Sequence, residues 1–93
     1  SAEDFVLYQN YPNPFNPSTT ISWQSPVSSR LTLKVFDVLG NEVATLIDEY
    51  NLAGRYEIEF RPESSIKNLS SGVYFYQLKI GNYIETRKMI LMK

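Results

Sequence analysis

Glu57 and Glu59 stand two residues apart, and a pair of carboxylates is the starting point of glycoside hydrolysis. In a strand that spacing puts both on one face. The alternation around them makes that face the solvated one, and no cleft-forming segment accompanies it, so solvation is the plainer reading. Asp48-Glu49 could enter a calcium site, but no loop of alternating oxygen ligands surrounds them. Histidine and cysteine are absent. That removes the usual general base, the usual zinc ligand, thiolate metal sites and disulfides. No catalytic residue, cofactor site or metal site is expected. The seven tyrosines could build a carbohydrate-binding face. Periodicity turns Tyr56, Tyr74 and Tyr76 inward and leaves Tyr8, Tyr11, Tyr50 and Tyr83 as candidates for exposure. Trp23 could stack on a sugar, yet a single tryptophan in a strand is first a core residue. Asn68-Leu69-Ser70 matches a glycosylation acceptor, a pattern common by chance.

These residues must sit on a small scaffold. The chain has 93 residues, 43% of them hydrophobic and 14% aromatic, with net charge −1. One modest core fits that length, and the composition is globular. There is no basic field for nucleic acid or an anionic membrane. No apolar run reaches the roughly 20 residues needed for a spanning helix. The first residues, Ser1-Ala2-Glu3-Asp4, lack the pattern of a signal peptide. They are expected to be a linker or a cloning remnant, with one domain over residues 5–93 cut from a longer protein.

The strands follow from alternation. Phe5–Gln9 is a first, edge strand. Ser18–Gln24 is the second, with Ile21 and Trp23 inward. Ser25-Pro26-Val27-Ser28-Ser29 is a turn. Arg30–Val38 is the third strand, with Leu31, Leu33 and Val35 on one side and Thr32, Lys34 and Phe36 on the other. Asp37–Asn41 turns, with Gly40 at positive φ. Glu42–Ile47 is the partner strand; a helix over Glu42–Tyr50 is too short to stand without strong packing. Asp48–Gly54 reads as a polar turn. Arg55–Phe60 places Tyr56, Ile58 and Phe60 inward. Arg61–Ser71 is a loop anchored by Ile66 and Leu69. Val73–Ile80 puts Tyr74, Tyr76, Leu78 and Ile80 on one face. Gly81-Asn82 signals a hairpin into a last strand, Tyr83–Met92. About seven short strands with turn signals between them predict an antiparallel immunoglobulin-like β-sandwich.

Two stretches stand out from this alternation. Tyr11-Pro12-Asn13-Pro14-Phe15-Asn16-Pro17 cannot form a helix, because each proline fixes its own φ and holds the preceding residue extended. It predicts a stiff corner between two strands, with Asn13 and Asn16 making tight turns. Arg87-Lys88-Met89-Ile90-Leu91-Met92-Lys93 is an apolar strand gated by charge at both ends. Those charges would blunt edge-to-edge pairing. The same strand, with its terminal carboxylate, could also be offered to a receptor by strand addition or end capture.

Taken in order, five blocks carry a resemblance. They are Tyr11–Pro17; Phe36-Asp37-Val38-Leu39-Gly40 with Glu42-Val43; Ala53-Gly54 with Tyr56; Ser71-Gly72-Val73-Tyr74-Phe75-Tyr76; and Glu85-Thr86-Arg87-Lys88-Met89 with Lys93. Together they resemble the type A C-terminal sorting domain of the type IX secretion system, over nearly the whole chain from Phe5 to Lys93. The resemblance implies a β-sandwich that is an address label and not an enzyme. It implies a fused N-terminal cargo, export via the periplasm through the outer-membrane translocon to the medium or the cell surface, and sortase cleavage with surface attachment in many members. Pro12, Asn13 and Pro14 match the first motif, Gly54 and Tyr56 the middle one, and Gly72, Tyr74, Lys88 and Lys93 the later ones. A monomer is expected.

Two rival readings come from other classes. One is an accessory carbohydrate-binding module of a secreted hydrolase, which exposed coplanar aromatics would favour. The other is a structural module, since Asp37–Phe60 is similar to the immunoglobulin-like domain of flagellar hook-capping proteins. The proline corner and the C-terminal lysines fit that domain less well.

Overall fold

β-Branched and aromatic residues alternating with polar ones produce seven strands in the computed structural model, which describes residues 3–62 and 69–93. They are β1 Val6–Leu7, β2 Thr19–Ser25, β3 Ser29–Phe36, β4 Glu42–Asn51, β5 Gly54–Phe60, β6 Gly72–Ile80 and β7 Tyr83–Leu91. Two antiparallel sheets form, in the orders β1-β2-β5 and β4-β3-β6-β7. The architecture is the expected immunoglobulin-like sandwich, and the described residues contain no α-helix.

The period-2 pattern places the core where expected. Ile21 and Trp23 of β2 face Leu31, Leu33 and Val35 of β3 and Tyr74, Tyr76, Leu78 and Ile80 of β6 across the sandwich, and all nine are buried. Met89 and Leu91 of β7 complete that layer, as do Phe15 and Leu69 from the connections. Burying a large apolar side chain contributes about 1.5–3 kcal/mol, so the last strand is a full member of the core. Ile66, expected as a second loop anchor, lies outside the described residues.

Three boundaries differ from expectation. The first strand contracts to Val6–Leu7, because the chain leaves the β2 edge after two paired residues. The third strand stops at Phe36, where Asp37 Oδ1 accepts from the Leu39 and Asn41 amides and starts the turn. The fourth strand runs on to Asn51, so the expected polar turn Asp48–Gly54 shrinks to Leu52 and Ala53. Residues 48–51 are polar because they form an exposed strand edge: they pair with Thr32, Leu31, Arg30 and Ser29, and Asp48 meets Arg30 at 2.8 Å. Tyr83, expected at the surface, is half-buried under Phe5, ring centroids 4.7 Å apart. Gly40 and Gly81 have positive φ, as both turns require.

Candidate functional site: the proline corner closed on the last strand

The corner joins β1 to β2, but its partner is β7. Residues 8–11 run beside β2, where Tyr11 and Thr20 exchange two backbone hydrogen bonds of 3.1 and 2.9 Å. The chain then crosses to the other sheet. The Phe15 amide donates to the Ile90 carbonyl at 2.9 Å, and the Met92 amide donates to the Phe15 carbonyl at 3.0 Å. That makes a short parallel bridge on the outer edge of β7. The Ile90 amide donates to Asn13 Oδ1 at 3.0 Å, and Gln9 Nε2 donates to the Lys88 carbonyl at 2.8 Å. Arg87 Nε donates to the Leu7 carbonyl at 2.6 Å. The Phe15 ring is 2% exposed and packs against Phe60, centroids 6.1 Å apart. An edge strand normally presents unpaired N–H and C=O groups. Over Lys88–Met92 this one has been given partners by residues 9–15.

A buried polar network holds the corner's base. The Asn10 amide donates to Tyr76 Oη at 2.8 Å, and the Tyr76 hydroxyl donates to the Tyr8 carbonyl at 2.8 Å. Asn10 Nδ2 donates to Thr19 Oγ1 at 3.0 Å, and Thr19 Oγ1 donates to the Pro12 carbonyl at 2.8 Å. Buried polar groups are stable only when paired in this way. Burial pushes the Tyr76 phenol above its ordinary pKa, against smaller lowering by the Asn10 N–H and the Arg87 charge. Burial also raises Tyr83, with Glu85 adding to the rise and Arg87 and the Leu7 N–H opposing it.

The residues singled out by sequence fall into two groups. Asn13, Gly72, Tyr74, Lys88 and Lys93 gather around the corner and the β6–β7 end. Gly72 pairs with Leu91, and Tyr74 pairs with Met89 and donates to the Ser70 carbonyl at 2.7 Å. The Lys93 amide donates to Ser71 Oγ at 2.9 Å. Pro12 contributes its carbonyl to the network, while Pro14 is exposed. Gly54 and Tyr56 belong elsewhere. Gly54 pairs with Ser25 at the far end of the other sheet. Tyr56 stacks on Trp23 at 5.8 Å and donates to the Leu52 carbonyl at 2.6 Å. Gly54 and Gly72 both open strands at φ of +152° and +151°, a region essentially reserved for glycine.

Sequence reasoning missed Asn10, Phe15 and Tyr76 as a working set. The signals present were an aromatic between prolines, Phe15, and the inward-facing Tyr76, whose hydroxyl needs a partner when buried. Neither says which strand the corner meets.

The enzymatic readings find no assembled site. Glu57 and Glu59 lie exposed on β5, where Glu59 Oε2 accepts from Ser18 Oγ at 2.9 Å and sits 3.6 Å from Arg61. Asp48 is paired with Arg30. Among the described residues, no three acidic side chains cluster as a metal site, and no helix is long and apolar enough to cross a membrane. Tyr8, Tyr11 and Tyr50 are exposed, with Tyr8 and Tyr11 beside β2 and Tyr50 on β4 of the opposite sheet.

No curated protein and no solved structure matches the chain significantly. One family model does, that of the secretion system C-terminal sorting domain, over residues 9–92. The matched span begins at Gln9 and ends at Met92, the two ends of the segment-to-strand closure. The family is in general non-catalytic and implies an upstream cargo, the type IX machinery and export to the medium or the cell surface. The chain belongs to this family and is a C-terminal sorting domain of type IX secretion.

Proposed function

We propose that residues 5–93 act as a non-catalytic export address that alone suffices to send a fused cargo from the periplasm through the outer-membrane translocon. The observation that supports this most directly is the family match running through the corner and the closed last strand. In this reading Pro12, Asn13, Pro14, Gly72, Tyr74, Lys88 and Lys93 form or support one recognition end. Gly54 and Tyr56 act through folding, since Gly54 opens β5 and Tyr56 packs on Trp23. Residues 1–4 serve as linker. A sortase then removes the domain and attaches the cargo to the surface, and the domain works as a monomer.

The test is a fusion of a signal peptide and a fluorescent protein to residues 1–93. It is expressed in a type IX-competent bacterium and in a translocon-deficient sibling. Reporter outside the first strain only is the expected result. Folded reporter retained in the periplasm of both would overturn the proposal. Removal of Ile90–Lys93 is expected to abolish export. The same cut takes away Leu91 and the partners of Asn13 and Phe15, so the folded fraction must be measured alongside.

A further inference from the structure

The outward face of the four-stranded sheet carries a charge pattern that the fold does not use. Its rows follow from the register. Lys88, Phe75, Phe36 and Glu42 lie side by side; next come Thr86, Gln77, Lys34 and Thr45; then Ile84, Lys79, Thr32 and Asp48. Both carboxylates on these rows are already matched, Glu42 by Lys34 at 3.2 Å and Asp48 by Arg30 at 2.8 Å. Lys79 and Lys88 are exposed, and among the described residues neither meets a carboxylate. The face is therefore locally cationic on a chain whose net charge is −1.

Beside Lys88 the sheet is apolar and concave. Phe36, Phe75, Gln77 and Thr86 floor a groove of about 420 Å³ whose wall is the β3–β4 turn, through Val38 and Gly40. Phe36 and Phe75 are half-buried there, while Val38 stands 66% exposed at the rim. Asp37, also on the rim, turns its carboxylate back onto the Leu39 and Asn41 amides. An apolar slot flanked by Lys79 and Lys88, which meet no carboxylate among the described residues, fits an apolar side chain carried beside carboxylates, since complementary charge selects partners and speeds encounter.

We propose that this face docks an acidic protein segment of the export machinery, with an apolar side chain seated on Phe36 and Phe75 and carboxylates against Lys79 and Lys88. The inference rests on the sorting role proposed above and adds to it a surface and a partner chemistry. It divides the work at that end: residues 9–15 support the end of β7, and the adjoining sheet face makes the contact.

The reporter fusion tests it through four variants. Lys79→Glu with Lys88→Glu is expected to lower external reporter about tenfold or more, the usual scale for reversing complementary charges. Its thermal midpoint should match the parent, because both side chains are exposed. Lys79→Arg with Lys88→Arg should restore export. Arg55→Glu with Arg61→Glu makes the same charge change on and beside β5 of the other sheet and should leave export within about twofold. Phe75→Ser tests the slot and is expected to reduce export while keeping the domain folded. If the parent fusion fails to leave the translocon-competent strain, the sorting role itself is wrong. If the parent is exported and the glutamate pair is exported equally well, only the docking face is wrong. Equal losses from the glutamate pairs on the two sheets would likewise overturn it, as an effect of net charge. Co-sedimentation of the chain with vesicles of phosphatidylethanolamine and phosphatidylglycerol, abolished by Lys79→Glu with Lys88→Glu, would overturn the protein partner in favour of a membrane surface.

Discussion

β4 and β7 are the two edges of one sheet, and they are protected in different ways. β4 is the longer strand, and among the described residues no neighbour pairs with its outer side. It carries Glu42, Asp48 and Glu49, and its register with β3 slips twice, after Leu33 and after Val35. Charge and bulges are standard protection for an edge. β7 has charge too, but over its last residues the protection is another piece of chain, residues 9–15. The first device is local and readable from one strand. The second joins positions almost eighty apart in sequence, so the end of the chain is fixed only when its beginning is. That arrangement makes the order of Lys88–Met92 a report on the placement of residues 9–15 as well.

The sharpest way to break the comparison is at Phe15. Its ring is buried between Phe60 and the β7 layer, and its backbone makes both bridge hydrogen bonds. Phe15→Ala should destabilise the domain by about 3–5 kcal/mol, which is a large share of a small domain's stability. Urea unfolding followed by Trp23 fluorescence would measure it. Tyr11→Ala, four residues earlier and 80% exposed, should stay within about 0.5 kcal/mol of the parent. Equal losses would mean that the corner acts as a stiff spacer and not through its closure on β7.

The backbone at the start of β6 gives the next largest effect. Gly72 sits at φ +151° with open space where a Cβ would stand. Gly72→Ala therefore tests conformation without a clash, and about 1–3 kcal/mol of lost stability is expected. Because Gly72 pairs with Leu91, amide exchange should rise first in Leu91 and Met92, before β4 responds. Uniform loosening of both edges would erase the contrast. This glycine also marks what was legible in the sequence. Ser71-Gly72 before Val73-Tyr74-Phe75-Tyr76 announced a turn feeding a strand, and alternation correctly faced Tyr74, Tyr76, Leu78 and Ile80 inward. Ile21, Trp23, Leu31, Leu33 and Val35 were equally readable, because period-2 burial is a local signal. The polar residues 48–51 misled, because an exposed edge strand and a turn share a composition. The closure of Phe15 on Ile90 and Met92 was not legible at all. Three prolines state that the chain bends, but the strand it bends toward depends on sheet order, which no local pattern encodes.

Tyr76 ties the corner's base to β6 with two hydrogen bonds. Tyr76→Phe leaves the buried Asn10 amide without its acceptor and should cost on the order of 1–2 kcal/mol. The pH dependence has a definite sign. Burial raises the folded-state pKa above the ordinary 10.0, so the folded chain keeps its proton where the unfolded chain has lost it. The stability linked to this group is complete below about pH 10 and declines as pH rises through the folded-state value. Thermal midpoints measured from pH 7 to 11 should fall above pH 10 in the parent and fall less steeply in Tyr76→Phe. Tyr83, raised in the same direction, supplies the part that remains. Parallel slopes in both proteins would show that Tyr76 titrates freely, as it would if the network opened readily.

The smallest effect separates the two edges most directly. Asn13 Oδ1 accepts from the Ile90 amide at 3.0 Å in an exposed setting, so Asn13→Ala should cost only about 0.5–1.5 kcal/mol. Its signature is local: the Ile90 amide should exchange faster while the β3–β4 amides are unchanged. Asn13→Asp keeps the acceptor oxygen and should restore protection. The matching change on the other edge is Asp48→Asn, which weakens the Arg30 pair. Both of those side chains are more than half exposed, and exposed pairs contribute about 0–1 kcal/mol. No amide on β4 should respond to it, since that edge is protected by many weak charges and two bulges, none of them individually required. If Asp48→Asn loosened β4 as Asn13→Ala loosens β7, the two edges would be protected alike. The closure at the end of the chain would then be one more surface contact, with no special bearing on whether the terminus is presented in its folded form.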